Sequence, residues 1–312
     1  MQNKSVAAIV APPRLPLPLT LASAIALLAS LALTVPSDPE WWKVVILGVV
    51  QGITEWLPIS STGHLLIVAD LLAYQGSIGG TFEIFIQLGT VLSVVAFYFS
   101  DLLGQARALL GRGTKEEAAG AWRLWIGVLI AILPAGLVGV LFRGFIKAVL
   151  FESPQVIAGA LIFGGIAFLI IERMPQRAVR ASELDQITPM QALGVGLAQV
   201  LALIPGMSRS GSSIVGGLLA GLDRRTATAF SFYLSIPVLG GATLADLVGS
   251  LDMIQPADWG RLLLCAVVAM IVGYVTIGWL LRYISRNTFV PFGIYRIVIG
   301  LLILALAAGG ML

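Results

Sequence analysis

Long apolar stretches alternate with short polar segments along most of the chain. A helix that crosses a bilayer needs about 20 consecutive, mainly apolar residues. We predict a span in seven stretches, of which the second is slightly short and the last is interrupted by Arg296: 15–37, 84–100, 124–142, 153–171, 226–245, 262–281 and 287–312. The pattern predicts an all-α integral membrane protein with about six core spans and one extra N-terminal span.

Two other apolar stretches, 44–70 and 188–222, do not fit a simple span. Glu55 interrupts the first and Arg209 the second, and each has Pro and Gly close by. Either stretch can be one kinked span or two short helices that meet at a tip. The pieces beside the breaks are mostly of about 11 to 14 residues, which favours re-entrant helices. Such broken helices persist at membrane depth only when they are buried in protein or line a wet cavity.

The two broken stretches resemble each other at a constant offset of 148 residues. The prolines are out of register by one, but polar residues and glycines correspond in pairs: Gln51 with Gln199, Ser60 with Ser208, Thr62 with Ser210, Gly63 with Gly211 and, further on, Phe82 with Phe230. Chance similarity between apolar segments explains polar matches poorly. An odd number of spans, three, separates the stretches. Two pairs of re-entrant helices would therefore enter from opposite faces, as in an inverted-topology repeat.

Composition supports the membrane assignment. Only 11% of the 312 residues are charged and 58% are hydrophobic, whereas soluble domains carry about 25% charged residues. This excludes an ordinary soluble enzyme, a disordered regulator and a nucleic-acid binder with a basic surface. A single cysteine, Cys265, and a single histidine, His64, exclude a disulfide framework and a multi-Cys or multi-His metal site.

The distribution of cations predicts the orientation. Of the 19 Lys and Arg residues, thirteen fall on one side of this topology, Arg209 and Arg296 lie within the membrane, and four fall on the other side: Lys43, Arg143, Lys147 and Arg261. Because the cation-rich side is normally cytoplasmic, the first tip enters from outside. Kinked spans in place of re-entrant helices would abolish this asymmetry.

The first 40 residues precede the predicted repeat. Lys4 and Arg14 precede the apolar stretch 15–37, which a signal peptide would also show. The stretch is long and lacks a clear small-x-small cleavage site, so we interpret it as a retained span. The rest, 41–312, is predicted to be one polytopic domain with repeat halves of about 43–187 and 188–312.

The second tip combines several features that bind anions. Glycines permit a tight turn, and a helix that starts here directs its positive end at the tip. The Arg209 guanidinium matches phosphate oxygens, and hydroxyl groups surround it. The predicted phosphate-binding residues are Gly206, Ser208, Arg209, Ser210, Gly211 and Ser213.

The first tip adds acid–base chemistry. Ser60, Ser61 and Thr62 supply hydroxyl groups, and His64 and Glu55 are candidate acids or bases. A charge at membrane depth is a functional-site signal. A structural Glu55–Arg209 ion pair is the alternative, and a lone His64 is as often a satisfied core residue. Close helix packing explains the small residues but not the two charges.

Four other ionisable residues in the apolar zone lie near segment ends, and we interpret them as snorkelling or structurally paired. They are Asp70, Glu83, Asp246 and Arg296. The residues alone thus predict a membrane-embedded site for a phosphorylated ligand, and they leave open whether the ligand is hydrolysed or carried.

Four stretches resemble those of a known family. Residues 51–64 and 205–211 are similar to the two signature sequences of the bacterial undecaprenyl-diphosphate phosphatases, also called bacitracin-resistance proteins. Residues 81–89 and 291–296 resemble further stretches of that family. The resemblance extends from about residue 40 to the C-terminus, so the N-terminal segment departs from it.

The resemblance implies hydrolysis of undecaprenyl diphosphate to undecaprenyl phosphate and inorganic phosphate. This reaction recycles the lipid carrier for peptidoglycan and other wall polymers and confers bacitracin resistance. The family's inverted repeat, bacterial cytoplasmic (inner) membrane location and outward-opening site are implied as well. The rival interpretation is a lipid-phosphate transporter or flippase with the same fold.

The family's functional residues map onto this chain by position. Glu55 matches an essential glutamate, His64 a histidine, and Ser61 a serine that acts as nucleophile or orients water. Arg209, Ser208 and Ser213 match diphosphate-binding residues, to which we add Gln51, Ser60, Thr62, Gly206, Ser210 and Gly211.

The family is associated with a divalent cation, Mg²⁺ or Ca²⁺. Many members have Glu where this chain has Gln51, so a cation would bind mainly through Glu55 and the substrate phosphates. The expected partners are undecaprenyl diphosphate and the lipid bilayer, with no nucleic acid; a homo-oligomer is compatible with the sequence.

Overall fold

The computed structural model of the protein describes residues 17–36, 38–74, 81–146, 153–174, 179–250 and 256–310, together with 252 and 254. Across these residues the regular secondary structure is helical, apart from one isolated bridge between Ala181 and Leu222. Within the described ranges, five helices are long and apolar enough to cross a membrane. A sixth span results if Ile84–Phe97 and Phe99–Arg112, bent by 67°, count as one. The protein is therefore an all-α, multi-pass membrane protein, as the apolar pattern predicts.

Thirteen α-helices occur in the described part of the chain. In order they are α1 (Leu17–Thr34), α2 (Trp41–Thr54), α3 (Ser61–Leu71), α4 (Thr81–Phe97), α5 (Phe99–Arg107), α6 (Lys115–Leu141), α7 (Arg143–Phe145), α8 (Pro154–Arg173), α9 (Pro189–Gln199), α10 (Arg209–Leu219), α11 (Arg224–Ser250), α12 (Trp259–Ile284) and α13 (Val290–Ala308). The π-helical turn Ala108–Arg112 follows α5, and the 3₁₀ turn Val200–Leu203 follows α9.

Several predictions concern residues outside this description. Lys4, Arg14, Lys147, Arg177 and the side chain of Glu83 are not among the described residues or side chains. The described part of the predicted N-terminal span forms α1, which has 18 residues.

Local sequence explains where the helices that support the site begin. Thr114 and Glu117 form a capping box at the start of α6, and Thr188 and Gln191 form one at the start of α9. Each box satisfies two backbone N–H groups that have no partner within the helix. Ser153 caps α8, with Pro154 in its first turn, where the missing N–H of proline costs nothing.

The helices form two compact units. The first comprises Met1–Trp56, Val68–Phe99 and Ser235–Arg282. In this unit, glycines bring α2 and α4 close to α12: a Cβ at Gly52 would lie 2.8 Å from the Ala269 carbonyl oxygen, and one at Gly89 would collide with the Ala266 backbone. Membrane helices associate through such small residues, because lipid gives little hydrophobic drive for helix contact.

The second unit comprises Leu57–Ile67, Ser100–Leu234 and Tyr283–Leu312. Its centre is a cluster of buried apolar side chains from α3, α8 and α13: Ile67, Ile157, Ala158, Leu161 and Ile303. Glycines again allow close approach, with Gly165 of α8 against Gly293 of α13 and Gly196 of α9 against Ala131 of α6. The second unit thereby fixes both serine-rich turns on a packed helical scaffold.

In each broken stretch two short α-helices are separated by a break, which comprises residues 55–60 in the first stretch and residues 200–208, with the 3₁₀ turn Val200–Leu203, in the second. The helix bounds keep the offset of 148 residues: α2 and α9 begin at Trp41 and Pro189, and α3 and α10 are Ser61–Leu71 and Arg209–Leu219. In the second pair, α9 and α10 pack side by side, with Gly216 against Val195 and Ala198.

Candidate active site

Both serine-rich turns contain a residue with a left-handed backbone. Ser60 and Ser208, which directly precede α3 and α10, each have a φ angle of 71°, and Gly206 has 94°. For a residue with a Cβ this conformation costs about 1–2 kcal/mol. It persists where the surroundings impose it, which is typical of functional sites.

Arg296 fixes the two turns to each other. Its side chain, 1% exposed, donates hydrogen bonds to five carbonyl oxygens: Pro58 (3.2 Å), Gly206 (3.1 Å), Met207 (2.9 Å), Ala160 (3.3 Å) and Leu161 (3.3 Å). Gly164 leaves room for the guanidinium, because a Cβ there would collide with it. Of the two interpretations of Arg296, snorkelling is wrong and structural pairing is right, with carbonyl groups as the partners.

The hydroxyl groups of the second turn are connected by hydrogen bonds. The Ser208 Oγ accepts from the backbone N–H of Gly211 (3.1 Å) and lies 3.0 Å from the Ser210 Oγ, which donates to the Leu57 carbonyl (3.2 Å). Ser208 therefore caps α10, and Ser210 connects this turn to the first one.

Arg209, at the start of α10, is held by a residue that the sequence did not indicate. Its Nη1 donates to the Ser231 carbonyl (3.0 Å) and to the Ser231 Oγ (3.3 Å). The Ser213 hydroxyl lies 2.8 Å from the Ser231 Oγ and 2.8 Å from the Arg209 carbonyl. Ser231 on α11 is fully buried, so it links two predicted diphosphate-binding residues.

At the first turn, both nitrogens of His64 have partners. Nδ1 lies 2.7 Å from the Ser60 carbonyl, and Nε2 lies 2.8 Å from the Tyr295 hydroxyl. The two rings are stacked, with centroids 5.5 Å apart and planes within 6°. Ser61 and Thr62, in the first turn of α3, are half-buried. Tyr295 lies in the stretch 291–296 that resembles the family, but the sequence pattern predicts no role for it.

Glu55 and Gln51 form a separate buried pair in the first unit. The Gln51 Nε2 donates to the Glu55 Oε2 (3.3 Å) one helical turn away, at the C-terminal end of α2. The Gln51 Oε1 is buried and has no hydrogen-bond partner in the described structure. Across the described residues, no three His, Cys, Asp or Glu side chains cluster where they could hold a metal ion.

The second unit thus brings together predicted residues from both turns: Ser60, His64, Ser208, Arg209, Ser210, Gly211 and Ser213. It adds Arg296, Ser231 and Tyr295. The first unit pairs Gln51 with Glu55. Asp70 and Asp246 are exposed, in keeping with positions near segment ends. The catalytic and binding roles of the named residues stay predictions.

The fold and the site define the class of the protein. It is a multi-pass helical membrane protein with two strained, serine-rich turns around a buried arginine. Comparison with known proteins gives the family. Residues 44–302 match the family model described as Bacitracin resistance protein BacA. The chain therefore belongs to the BacA family, in agreement with the resemblance of its two signature segments.

Named relatives are similar over most of their length. The Undecaprenyl-diphosphatase of Deinococcus radiodurans is 45% identical over 276 residues, which are 88% of this chain and 97% of the relative. That of Albidiferax ferrireducens is 44% identical over 271 residues, 86% and 95% of the two chains. That of Cellvibrio japonicus is 43% identical over 275 residues, 86% and 96%.

Proposed function

We propose that this protein hydrolyses undecaprenyl diphosphate to undecaprenyl phosphate and inorganic phosphate. The observation that carries the proposal is the full-length similarity to relatives named Undecaprenyl-diphosphatase, together with a site whose groups suit a diphosphate. The reaction recycles a lipid carrier for cell-wall polymers and lowers the pool of the diphosphate on which bacitracin acts. Similarity to named phosphatases favours this over a flippase.

The second turn binds the diphosphate. Arg209 supplies a planar cation for the phosphate oxygens, and Ser231 holds one of its nitrogens in place. The N-terminus of α10 adds the positive end of a helix dipole, and Ser208, Ser210 and Ser213 add hydroxyl groups. These groups neutralise the charge that moves to the leaving phosphate as the terminal phosphoryl group transfers.

The first turn supplies the nucleophile and the base. The oxygen of Ser61, or of a water that Ser61 holds, attacks the terminal phosphorus, and the bond from that phosphorus to the bridging oxygen breaks. If Ser61 attacks, a water then hydrolyses the phosphoserine and releases inorganic phosphate. The proton of the attacking oxygen passes to Glu55 or His64. His64 as nucleophile is the third alternative. Ser60, Thr62, Gly206, Gly211 and Gln51 complete the predicted binding residues.

A divalent cation, Mg²⁺ or Ca²⁺, fits one feature of the first unit. The buried Oε1 of Gln51 has no hydrogen-bond partner among the described residues, and the carboxylate of Glu55, the C-cap residue of the same helix, lies one turn away. Hard cations prefer such oxygen ligands. These two residues would hold the ion with the substrate phosphates, where its charge would neutralise the diphosphate.

The protein lies in the bacterial inner membrane, with its site open to the outer side and the lipid tail of the substrate in the bilayer. The excess of cations on one side of the predicted topology supports this orientation. The matched bounds of α3 and α10 support an inverted repeat with two re-entrant helix pairs.

Phosphate release by the purified, detergent-solubilised protein tests the activity. Undecaprenyl diphosphate should yield phosphate in the absence of any membrane gradient, and a chelator should slow the reaction if a cation takes part. Because a carrier releases no phosphate under these conditions, lack of release would support the flippase interpretation.

Two glycines allow a matched test of the orientation. Gly104 lies in a predicted cytoplasmic segment and Gly144 in a predicted outer one, and a Cβ at either would meet no atom within 4 Å. The native Cys265 is fully buried. In intact cells, an impermeant thiol reagent should label Gly144→Cys and spare Gly104→Cys; the reverse pattern would contradict the orientation.

A further inference from the structure

The partners of His64 define the position of its protons. A carbonyl oxygen can only accept, so the nitrogen 2.7 Å from the Ser60 carbonyl, Nδ1, carries a hydrogen. In the neutral ring, Nε2 is then an acceptor, and the Tyr295 hydroxyl at 2.8 Å donates to it. His64 is therefore in the form that can take up a proton, through Nε2 alone.

The contacts of His64 with Ser60 and Tyr295 are held in place by neighbouring residues. Tyr295 is followed by Arg296, whose guanidinium donates to the Pro58 carbonyl two residues before Ser60. The left-handed backbone of Ser60 sets the carbonyl that His64 contacts. One helix, α13, thus carries both the hydroxyl group on Nε2 and the side chain that fixes the turn on the Nδ1 side. The stacked rings of His64 and Tyr295 limit rotation of the imidazole.

Tyr295 is also the more exposed residue of this pair. His64 is 9% exposed, whereas Tyr295 is 40% exposed. Any group that exchanges a proton with Nε2 in this arrangement meets the Tyr295 oxygen first. A direct attack by His64 on phosphorus would require both rings to separate.

We propose that Tyr295 relays a proton from the attacking oxygen to His64, an inference that rests on the proposed hydrolysis. As the attacking oxygen of Ser61 or water bonds to phosphorus, its proton passes to the Tyr295 oxygen, and the Tyr295 proton passes to Nε2. The bond from phosphorus to the bridging oxygen breaks, and lipid phosphate leaves; inorganic phosphate forms directly when water attacks, or by hydrolysis of the phosphoserine when Ser61 attacks. Tyr295 is neutral before and after, and the imidazolium keeps its Nδ1–H bond to Ser60.

Kinetics of three variants test the relay. We expect Tyr295→Phe, which keeps the ring but lacks the hydroxyl, to lower kcat about 100-fold, the scale of general acid–base catalysis. His64→Gln should lower kcat equally, and the double variant should lose no more, because residues that act as a unit are not additive. Tyr283→Phe is the matched control: its ring packs against Phe292 of α13, and its kcat should change less than twofold.

Direct transfer to Nε2 predicts the opposite result for Tyr295→Phe. Removal of the hydroxyl would then expose Nε2, and kcat would be unchanged or higher while His64→Gln stays impaired; that result overturns the relay. Full activity of His64→Gln overturns it too. A wild-type protein that releases no phosphate overturns the proposed function itself, which distinguishes the two failures.

A spectroscopic measurement tests the geometry without turnover. His64 is the single histidine of the chain, so ¹⁵N-histidine labelling gives one imidazole. We expect the Nδ1–H tautomer at neutral pH, and a shift of the Nε2 resonance in Tyr295→Phe with none in Tyr283→Phe. An Nε2–H tautomer in the wild type would overturn the relay, since Nε2 would have no lone pair to accept the proton.

Discussion

Ser60 and Ser208 share a φ angle of 71° and occupy corresponding positions at an offset of 148 residues. Each directly precedes a helix of 11 residues, α3 or α10. The two turns are thus alike in backbone but not in chemistry. At the same offset, His64 corresponds to Ser212, and Ser61 to Arg209. One turn carries the acid–base side chain of His64 and the other the cation of Arg209, the two kinds of group on which the proposed phosphoryl transfer depends.

The link between Arg209 and Ser231 gives a graded prediction. Arg209→Ala should lower kcat about 100- to 1000-fold, as expected for loss of a preorganised donor to developing charge. Ser231→Ala removes the hydroxyl contacts with Arg209 and Ser213 and leaves the carbonyl contact with Arg209, so we expect a 5- to 10-fold fall, or about 1–1.5 kcal/mol. Steady-state phosphate release measures both.

Ser235→Ala, one turn further along α11, is the control for Ser231→Ala and should keep activity within twofold. Equal activity of Ser231→Ala and the wild type would show that the Ser231 hydroxyl does not position Arg209.

The pair Gln51 and Glu55 predicts how the enzyme responds to cations. Glu55→Gln should reduce phosphate release at least about 100-fold, the loss expected on removal of a catalytic carboxylate. Gln51→Glu places a second carboxylate one turn from Glu55, so it should bind a divalent cation more tightly. Its activity should require less added Mg²⁺ or Ca²⁺ after treatment with EDTA.

A cation titration of chelated wild type and Gln51→Glu decides this point. Identical half-saturating concentrations in the two proteins would contradict a cation bound at this pair.

Much of the fold follows from the sequence because the bilayer imposes a length on each helix. The stretch 262–281 lies within α12, and the stretches 124–142 and 153–171 each extend by one residue, the cap residue, beyond α6 and α8. The polar residues shared at the 148-residue offset located both turns. The prediction of a span over 84–100 was less accurate, since α4 ends at Phe97 and the chain bends there by 67°.

The roles of Arg296, Ser231 and Tyr295 were not predictable in the same way. The five carbonyl partners of Arg296 come from three separate parts of the chain. Because every residue has a backbone carbonyl group, the sequence does not indicate which of them accept a hydrogen bond. Ser231 contacts residues 18 and 22 positions away, and His64 is 231 positions from Tyr295. Only the packing of distant helices creates these contacts. Glu55, in contrast, was found as a charge within an apolar stretch, and Gln51 by its correspondence with Gln199 and by the family resemblance.

Arg296 predicts a large effect on stability. Arg296→Lys keeps the charge, but an ammonium group cannot reach five carbonyl groups in three segments. Each buried polar group left without a partner costs about 1–3 kcal/mol, so we expect a loss of about 3–5 kcal/mol in unfolding free energy. The apparent Tm in detergent should fall by about 10 °C. Arg286→Lys, at an exposed position, should change it by less than about 1 °C, and a similar Tm for the two variants would contradict the structural role.

Ser60 separates backbone strain from side-chain chemistry. Ser60→Ala and Ser60→Gly both lack the hydroxyl, so both should lose activity to the same extent if that hydroxyl binds the diphosphate. They differ in strain, because glycine adopts a φ of 71° without the steric penalty of a Cβ. Ser60→Gly should therefore be more stable than Ser60→Ala by about 1 kcal/mol, seen as a higher apparent Tm. If alanine proves as stable as glycine, the surroundings do not hold this turn in a strained conformation, and if both variants keep full activity, the Ser60 hydroxyl does not bind the substrate.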